Sequence, residues 1–175
     1  HAVRVPYTSS GALRSLAGPR GLFNARQPLR QADGSGRYYY GFVRVSYTSG
    51  IAGIGYIGYP VAVGWDHSGS APAVMAHELG HNFGREHAPC DTPDPDPSYP
   101  YPDGSIGVWG YDPNGNSLDP SATAAPLKNP AVHKDLMSYC GPEWVSDYNY
   151  YAAWDFLKAN PPAPQSLPTE GLLFS

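Results

Sequence analysis

The chain has 175 residues, of which 41% are hydrophobic and 15% are charged, and its formal net charge at pH 7 is −4. This length suits one domain with a core of its own, and the mild acidity disfavours nucleic acids and anionic membranes, which attract basic faces. No segment approaches the roughly 18 apolar residues of a membrane span.

The first fifty residues predict strands separated by an interrupted helix. Residues 3–9 and 43–49 share the pattern VRV-x-YTS, which indicates two similar strands rather than a repeat. Between them, residues 12–33 have helical spacing that prolines interrupt, so we expect one broken helix. The aromatic and β-branched run at 37–47 predicts a further strand.

A glycine-rich segment follows at 50–65, where glycine alternates with isoleucine, tyrosine and valine. Glycine weakens a strand interior and often marks the close approach of another backbone or of a ligand. The residues alone therefore predict either a bulged edge strand without a ligand or an edge strand that lines a substrate cleft.

Residues 70–84 predict a helix with recognisable ends. Ser70 suits the N-cap, a proline follows in the first turn, and Gly84 suits the left-handed position that closes a helix. The histidines of this helix share one face. An apolar stripe on another face is expected to pack against the core: Met75, Leu79 and Phe83.

The acidic, proline-rich segment 88–105 predicts a solvated loop. Calcium is a further candidate there, although the spacing of the aspartates lacks the regularity of an EF-hand and does not support it. The aspartates concerned are Asp91, Asp94, Asp96 and Asp103. Residues 106–118 predict a hairpin that turns at Asn114-Gly115.

The last predicted helix spans 146–160. Ser146 suits its N-cap, and the two prolines after Asn160 stop it. Three large apolar side chains fall on one face: Tyr150, Trp154 and Leu157. Residues 161–175 have the composition of a linker or tail.

The sequence HELGHNFGREH at 77–87 is the strongest functional signal. His77 and His81 lie one helical turn apart and can offer two nitrogens to one metal ion, and the Gly84 turn can bring His87 round as a third ligand. Three protein ligands leave one position open, as in catalytic rather than structural zinc sites. Glu78 lies beside the metal position, where a general base could take a proton from water.

The HExxHxxGxxH pattern resembles the metzincin zinc endopeptidases, whose second signature is a methionine in a tight turn below the metal. Met137, within DLMSYC at 135–140, matches that signature. The M-S-Y order is similar to astacin-like and serralysin-like members, in which a tyrosine lies near the zinc. The resemblance implies that Tyr139 ligates the metal or donates a hydrogen bond to the oxyanion; a tyrosine packed under the site is the alternative. Short secreted bacterial metzincins, including mucin-directed ones, are also similar in composition.

The resemblance covers roughly residues 38–160 and implies an α+β fold. The expected parts are a twisted mixed β-sheet with an antiparallel edge strand, a zinc-binding active-site helix, and an irregular lower subdomain with the methionine turn and a C-terminal helix. The implied catalytic domain spans 1–160, with an upper subdomain at about 1–84 and a lower one at about 85–160. One departure leaves the subfamily open, because Ala88 stands where astacins carry a glutamate.

The resemblance also assigns the glycine-rich edge strand to substrate binding by strand addition. The residues that would contact the substrate backbone are Gly53, Ile54, Gly55 and Tyr56. The pocket for the residue after the scissile bond is expected to be formed partly by 138–144.

The two cysteines, Cys90 and Cys140, are too few for a four-cysteine zinc site and leave a disulfide or two free thiols open. In the implied fold both flank the metal site, so we expect a disulfide, which suits an exported protein. The N-terminus has no signal-peptide pattern, so we expect a secreted or extracellular chain whose signal peptide and any propeptide lie outside this sequence.

The expected function is that of a monomeric endopeptidase with one catalytic Zn²⁺ and a polypeptide or glycoprotein substrate. Two alternatives remain from the sequence. One is a catalytically weak, zinc-containing module that binds protein or glycan through its tyrosine-rich face. The other is a zinc hydrolase that acts on a substrate other than protein.

Overall fold

The structure is a computed structural model that describes residues 36–44, 51–117 and 124–161. The strand predicted at 3–9, the broken helix at 12–33 and nearly all of the predicted tail lie outside the described residues. The described part contains seven short strands and two helices: β1 (Tyr39–Val43), β2 (Gly53–Gly55), β3 (Val61–Trp65), α1 (Ala71–Asn82), β4 (Gly110–Tyr111), β5 (Leu127–Lys128), β6 (Lys134–Asp135), β7 (Glu143–Trp144) and α2 (Asp147–Ala159). The predicted α+β class is confirmed.

The largest described sheet has three strands in the order β1-β3-β2. β1 runs parallel to β3, and β2 runs antiparallel to it. The predicted antiparallel edge strand is therefore present, although it is only three residues long. Val43, Val61 and Val63 form the buried cluster of this sheet, and the continuous apolar run of β3 is typical of a strand covered on both faces.

Helix α1 packs on β2 and β3 and occupies nearly all of the segment predicted to be helical. Its first residue follows Ser70, whose side chain makes no capping hydrogen bond, and Gly84 has the predicted positive φ, +78°. The amide of Asn82 donates to the carbonyls of Tyr56 and Val61 at 3.0 and 3.1 Å. This side chain joins the end of the helix to the turn between β2 and β3.

The buried face of α1 differs from the prediction. The buried residues are Glu78, Gly80, His81 and Asn82, whereas the predicted apolar stripe of Met75, Leu79 and Phe83 is only half-buried. The prediction of the core face was wrong because the underlying strand β2 presents glycines, and the room they leave is filled by the carboxylate of Glu78.

The lower part of the molecule is organised around the carboxylate of Asp135, which is fully buried. Its Oδ1 accepts hydrogen bonds from the backbone N–H of Met137 at 2.7 Å and from the side-chain amide of Asn149 at 2.8 Å. Its Oδ2 accepts one from the backbone N–H of Ser146 at 2.7 Å. One side chain thus holds both the methionine turn and the start of α2.

Helix α2 begins as predicted, because the Ser146 hydroxyl accepts the backbone N–H of Asn149 at 3.1 Å. Its predicted apolar face is largely exposed, with Tyr150, Trp154 and Leu157 all open to solvent. Neither this helix nor α1 has the length and apolar character that crossing a membrane requires.

The tight hairpin predicted at Asn114-Gly115 is wrong. β4 pairs with β5, so Gly110 lies opposite Lys128. A hairpin with a tight turn at Asn114-Gly115 would instead place Gly110 opposite a residue shortly after that turn. The chain does reverse here, but through a turn that begins at Asp112: its carbonyl accepts the N–H of Gly115 at 3.0 Å, and its side chain accepts that of Asn114 at 2.9 Å. Aspartate, proline and glycine at the first, second and fourth positions favour this type I turn.

Candidate active site

The structure brings His77, His81 and His87 together at one end of α1. Their ligand atoms all lie within 4.8 Å of one another. Two of these residues come from the helix itself, and the third arrives through Gly84, whose positive φ of +78° favours glycine. The arrangement can hold a metal ion.

The hydrogen bonds that the three rings make through Nδ1 leave each Nε2 available as a metal ligand. Each Nδ1 lies near a backbone carbonyl oxygen: His77 near Leu136 at 2.8 Å, His81 near Arg85 at 2.7 Å, and His87 near Pro93 at 3.1 Å. A carbonyl accepts only, so each Nδ1 carries the proton and each Nε2 keeps its lone pair. This support by outer hydrogen bonds is typical of histidines that bind metals.

Burial also keeps two of these imidazoles, those of His77 and His81, neutral. Removal from water lowers the pKa of His81 to about 4, and it lowers the pKa of His77 below its ordinary value; the neighbouring imidazoles add to both effects. Since the neutral ring is the ligand, neither of these two residues has to lose a proton at pH 7 to bind a metal.

Glu78 lies between α1 and β2, and only 6% of its surface is exposed. Burial raises the pKa of its carboxyl group to about 8, although a hydrogen bond from the backbone N–H of Gly55 opposes the shift. A Cβ at position 53 would lie 2.6 Å from Glu78 Oε1, and one at position 55 would collide with the Glu78 backbone. The close approach of Glu78 therefore explains these two glycines.

The raised pKa of Glu78 predicts that metal binding releases a proton. Without a metal the carboxyl group is largely protonated at pH 7, and a cation beside it favours the ionised form. Affinity should therefore rise with pH up to about 8. Calorimetry in buffers of different ionisation enthalpy should show Glu78→Gln releasing roughly one proton fewer per metal than the unaltered protein. Glu86→Gln, at an exposed site, is the control, and equal release from all three proteins would contradict the prediction.

Tyr139 lies at the open side of the histidine cluster, with 57% of its surface exposed. Its hydroxyl is 3.4 Å from Nε2 of His87, and its ring centroid is 5.8 Å from that of His77. Burial, and secondarily the Glu78 carboxylate, raises the pKa of the phenol, so it keeps its proton and can donate.

Met137 lies beneath α1, fully buried next to Ala88 and Tyr99. A Cβ at Gly80 would collide with its Sδ. The backbone of the helix and the methionine turn therefore touch directly at the residue before His81. The Met137 carbonyl also accepts the N–H of Ala88 at 3.0 Å, which ties the turn to the chain just after His87.

Cys90 and Cys140 form a disulfide, which confirms the predicted bond. The N–H of Tyr139 donates to the carbonyl of Cys90 at 3.1 Å. The covalent bond and the hydrogen bond together fix the position of Tyr139 relative to the loop that follows His87. The disulfide is compatible with an extracellular protein.

Two of the four aspartates considered as calcium ligands have separate partners. Asp96 accepts the hydroxyl of Tyr148 at 2.9 Å and lies 3.8 Å from Arg85, whereas Asp103 pairs with Lys134 at 2.8 Å. Across 36–44, 51–117 and 124–161, only the three histidines form a group of at least three potential metal ligands.

Three residues at the site were missed by the sequence reasoning: Asp135, Gly80 and Glu143. Asp135 holds the methionine turn, Gly80 lets that turn contact α1, and Glu143 lines the cleft beside Glu78. The available signals were the glycine within the HExxH motif and the aspartate two residues before the methionine. Glu143 lies within the segment 138–144 that was expected to form part of a pocket, but no local signal singles out this residue.

Comparison with known proteins identifies the family. Residues 24–138, more than half of the chain, match the peptidase M66 family. Dictomallein of Burkholderia mallei and dictomallein of Burkholderia pseudomallei are each 36% identical over 96 residues, which cover 49% of this chain but only 13% of theirs. The family match includes the three histidines, Glu78 and Met137. The chain belongs to the peptidase M66 family.

Proposed function

We propose that the chain carries the catalytic domain of a secreted, zinc-dependent endopeptidase of the metzincin type. The observation that carries the proposal is the convergence of three imidazoles beside a buried carboxyl group. The domain is proposed to span residues 1–160, with α1 closing the upper subdomain and the methionine turn and α2 in the lower one. Membership of a peptidase family supports a polypeptide substrate.

The donor set fits zinc. Three imidazole nitrogens with outer hydrogen bonds to carbonyls suit a tetrahedral ion that keeps one position for a non-protein ligand. His77, His81 and His87 would hold it. When bound, the zinc ion would polarise a water molecule and the scissile carbonyl.

Glu78 acts as the general base in the proposed reaction. Its carboxylate takes a proton from the attacking water and delivers it to the leaving amine. The hydrogen bond from the Gly55 N–H restrains the carboxylate, and burial excludes bulk water from it. The phenol of Tyr139, which keeps its proton, donates a hydrogen bond to the developing oxyanion.

Strand β2 offers main-chain groups to an extended substrate. The backbone N–H of Trp65 in β3 donates to the carbonyl of Ala52 at 2.8 Å, and the nitrogen of Tyr56 lies 3.5 Å from the carbonyl oxygen of Val61. The main-chain groups of Ala52 and Tyr56 therefore face β3. In an antiparallel ladder, residues that bond to the partner strand alternate with residues whose main-chain groups point away from it. The main-chain groups of Ile54 therefore also face β3, and those of Gly53 and Gly55 point away from β3. Of the four predicted substrate residues, these two glycines are proposed to bind the substrate backbone, Gly55 through its carbonyl alone because its N–H donates to Glu78.

Metal removal tests the proposal. A chelator that strips zinc is expected to abolish digestion of a casein-type substrate, and zinc added back after dialysis should restore it, because the ion would polarise both the water molecule and the scissile carbonyl. Metal analysis of the untreated protein should find about one zinc per chain. Digestion that persists in demonstrably metal-free, folded protein would overturn the proposal.

A further inference from the structure

A cleft with a volume of about 380 Å³ opens beside His77 and Glu78. One wall comes from the segment that enters β2, a second from α1, and a third from the segment between the methionine turn and β7. Its apolar lining is formed by Ile51, Ala52, Ala73, Val74 and Leu136. This volume lies within the range of about 300–1,000 Å³ that is typical of ligand pockets, so a long side chain fits.

Glu143 is the charged residue in this cleft besides Glu78. Its carboxylate forms no ion pair with any described residue. Lys134, which lies opposite it in the parallel pairing of β6 and β7, bonds instead to Asp103 at 2.8 Å. Partial burial raises the pKa of Glu143. Glu143 as a whole is exposed, so the cleft offers a solvent-accessible carboxylate that has no ion-pair partner among the described residues.

The other polar side chains of the cleft have partners. The Ser70 hydroxyl is 3.2 Å from Nδ1 of His67, and the Ser138 hydroxyl lies 3.4 Å from the carbonyl of Cys140. Glu78 is assigned to proton transfer. Glu143 is thus the polar side chain of the cleft whose carboxylate is left to recognise a ligand.

The cleft lies on the leaving-amine side of the scissile bond. Glu78 delivers its proton to the nitrogen of the residue that follows that bond, so this residue lies next to Glu78. The cleft opens there, between Glu78 and Tyr139. Its occupant is therefore the side chain immediately after the bond that is cut.

We propose that this cleft selects a lysine or arginine side chain at the position immediately after the scissile bond, by pairing its cationic end with Glu143. The aliphatic stem packs against the apolar walls, as long basic side chains do on apolar surfaces. This selectivity rests on the proposed peptidase function, since it describes the substrate of the same site.

Peptides that differ only at this position test the proposal. With the zinc-loaded protein, peptides carrying lysine or arginine are expected to exceed the glutamine peptide in kcat/KM by roughly two- to fivefold, the range of a solvent-exposed charge pair. Glu143→Gln should bring the ratio near one, and Glu143→Lys should favour a glutamate peptide. Glu86→Gln, an exposed substitution outside the cleft, should keep the original ratio.

A binding measurement separates this proposal from the proposed function. The Glu78→Gln protein, titrated with the lysine and glutamine peptides, should bind the lysine peptide more tightly, and adding Glu143→Gln should remove the difference. Cleavage of all peptides at equal rates would overturn the selectivity and leave the peptidase function intact. If no peptide is cleaved, the peptidase function fails, and equal binding of the two peptides would then overturn the cleft selectivity as well.

Discussion

Replacing Glu78 by glutamine should lower kcat by roughly 10²–10⁴-fold, the usual contribution of a general acid–base group, while the metal stays bound. Glutamine has nearly the same shape, and its carbonyl oxygen can still accept the N–H of Gly55. It cannot accept a proton from water or pass one to the leaving amine. The three histidines keep their carbonyl partners, because none of those hydrogen bonds involves Glu78.

The experiment pairs peptide cleavage with metal analysis of the same protein samples. Glu86→Gln removes an exposed carboxylate from the same segment and should leave both measurements unchanged. A Glu78→Gln protein that keeps its metal and retains wild-type cleavage would rule out Glu78 as the base. One that loses both metal and activity would show that the carboxylate maintains the site rather than the chemistry.

The second large effect is on stability. Asp135→Asn should lower the free energy of unfolding by about 3 kcal/mol, because hydrogen bonds to a charged acceptor contribute about 1.5–3 kcal/mol each and an unsatisfied buried donor adds to the loss. Either orientation of the asparagine amide places its NH₂ against a backbone N–H, that of Ser146 or that of Met137. Both donors now point at one carboxylate at 2.7 Å.

Thermal or urea unfolding measures this effect, with Asp155→Asn as the matched control at an exposed position of α2. For a chain of this length the loss corresponds to a melting temperature lower by roughly 6–12 °C. Asp135→Asn with an unchanged unfolding midpoint would show that the methionine turn and α2 do not depend on this carboxylate.

The metal-site residues were predictable because their relation is local. Two histidines and Glu78 lie on one helix, where spacing alone fixes which face each side chain occupies. The third histidine is reached through a single glycine turn. The position of Tyr139 came from the family resemblance, because fifty-two positions separate it from His87 and no local rule relates them.

The features that could not be predicted from the sequence depend on contacts between segments that lie far apart in the chain. The role of Asp135 requires donors from the later residues Ser146 and Asn149, and the position of Glu143 requires β7 to pair with β6. The prediction that the apolar stripe of α1 faces the core failed for a related reason. Helical periodicity identifies an apolar face, but the depth of burial was decided by the glycines of β2 across the interface.

The outer hydrogen bonds of the histidines have a consequence for how the protein is handled. Their carbonyl partners come from three places, namely the methionine turn, the residue after Gly84 and the acidic loop. The ion site therefore exists only once these segments have come together, and an ion that binds the folded chain alone shifts the folding equilibrium toward it. With zinc as the proposed ion, the heat resistance of a preparation is expected to follow the free zinc concentration of its buffer, and purification in the presence of a chelator is expected to yield a less stable, more protease-sensitive sample of the same polypeptide.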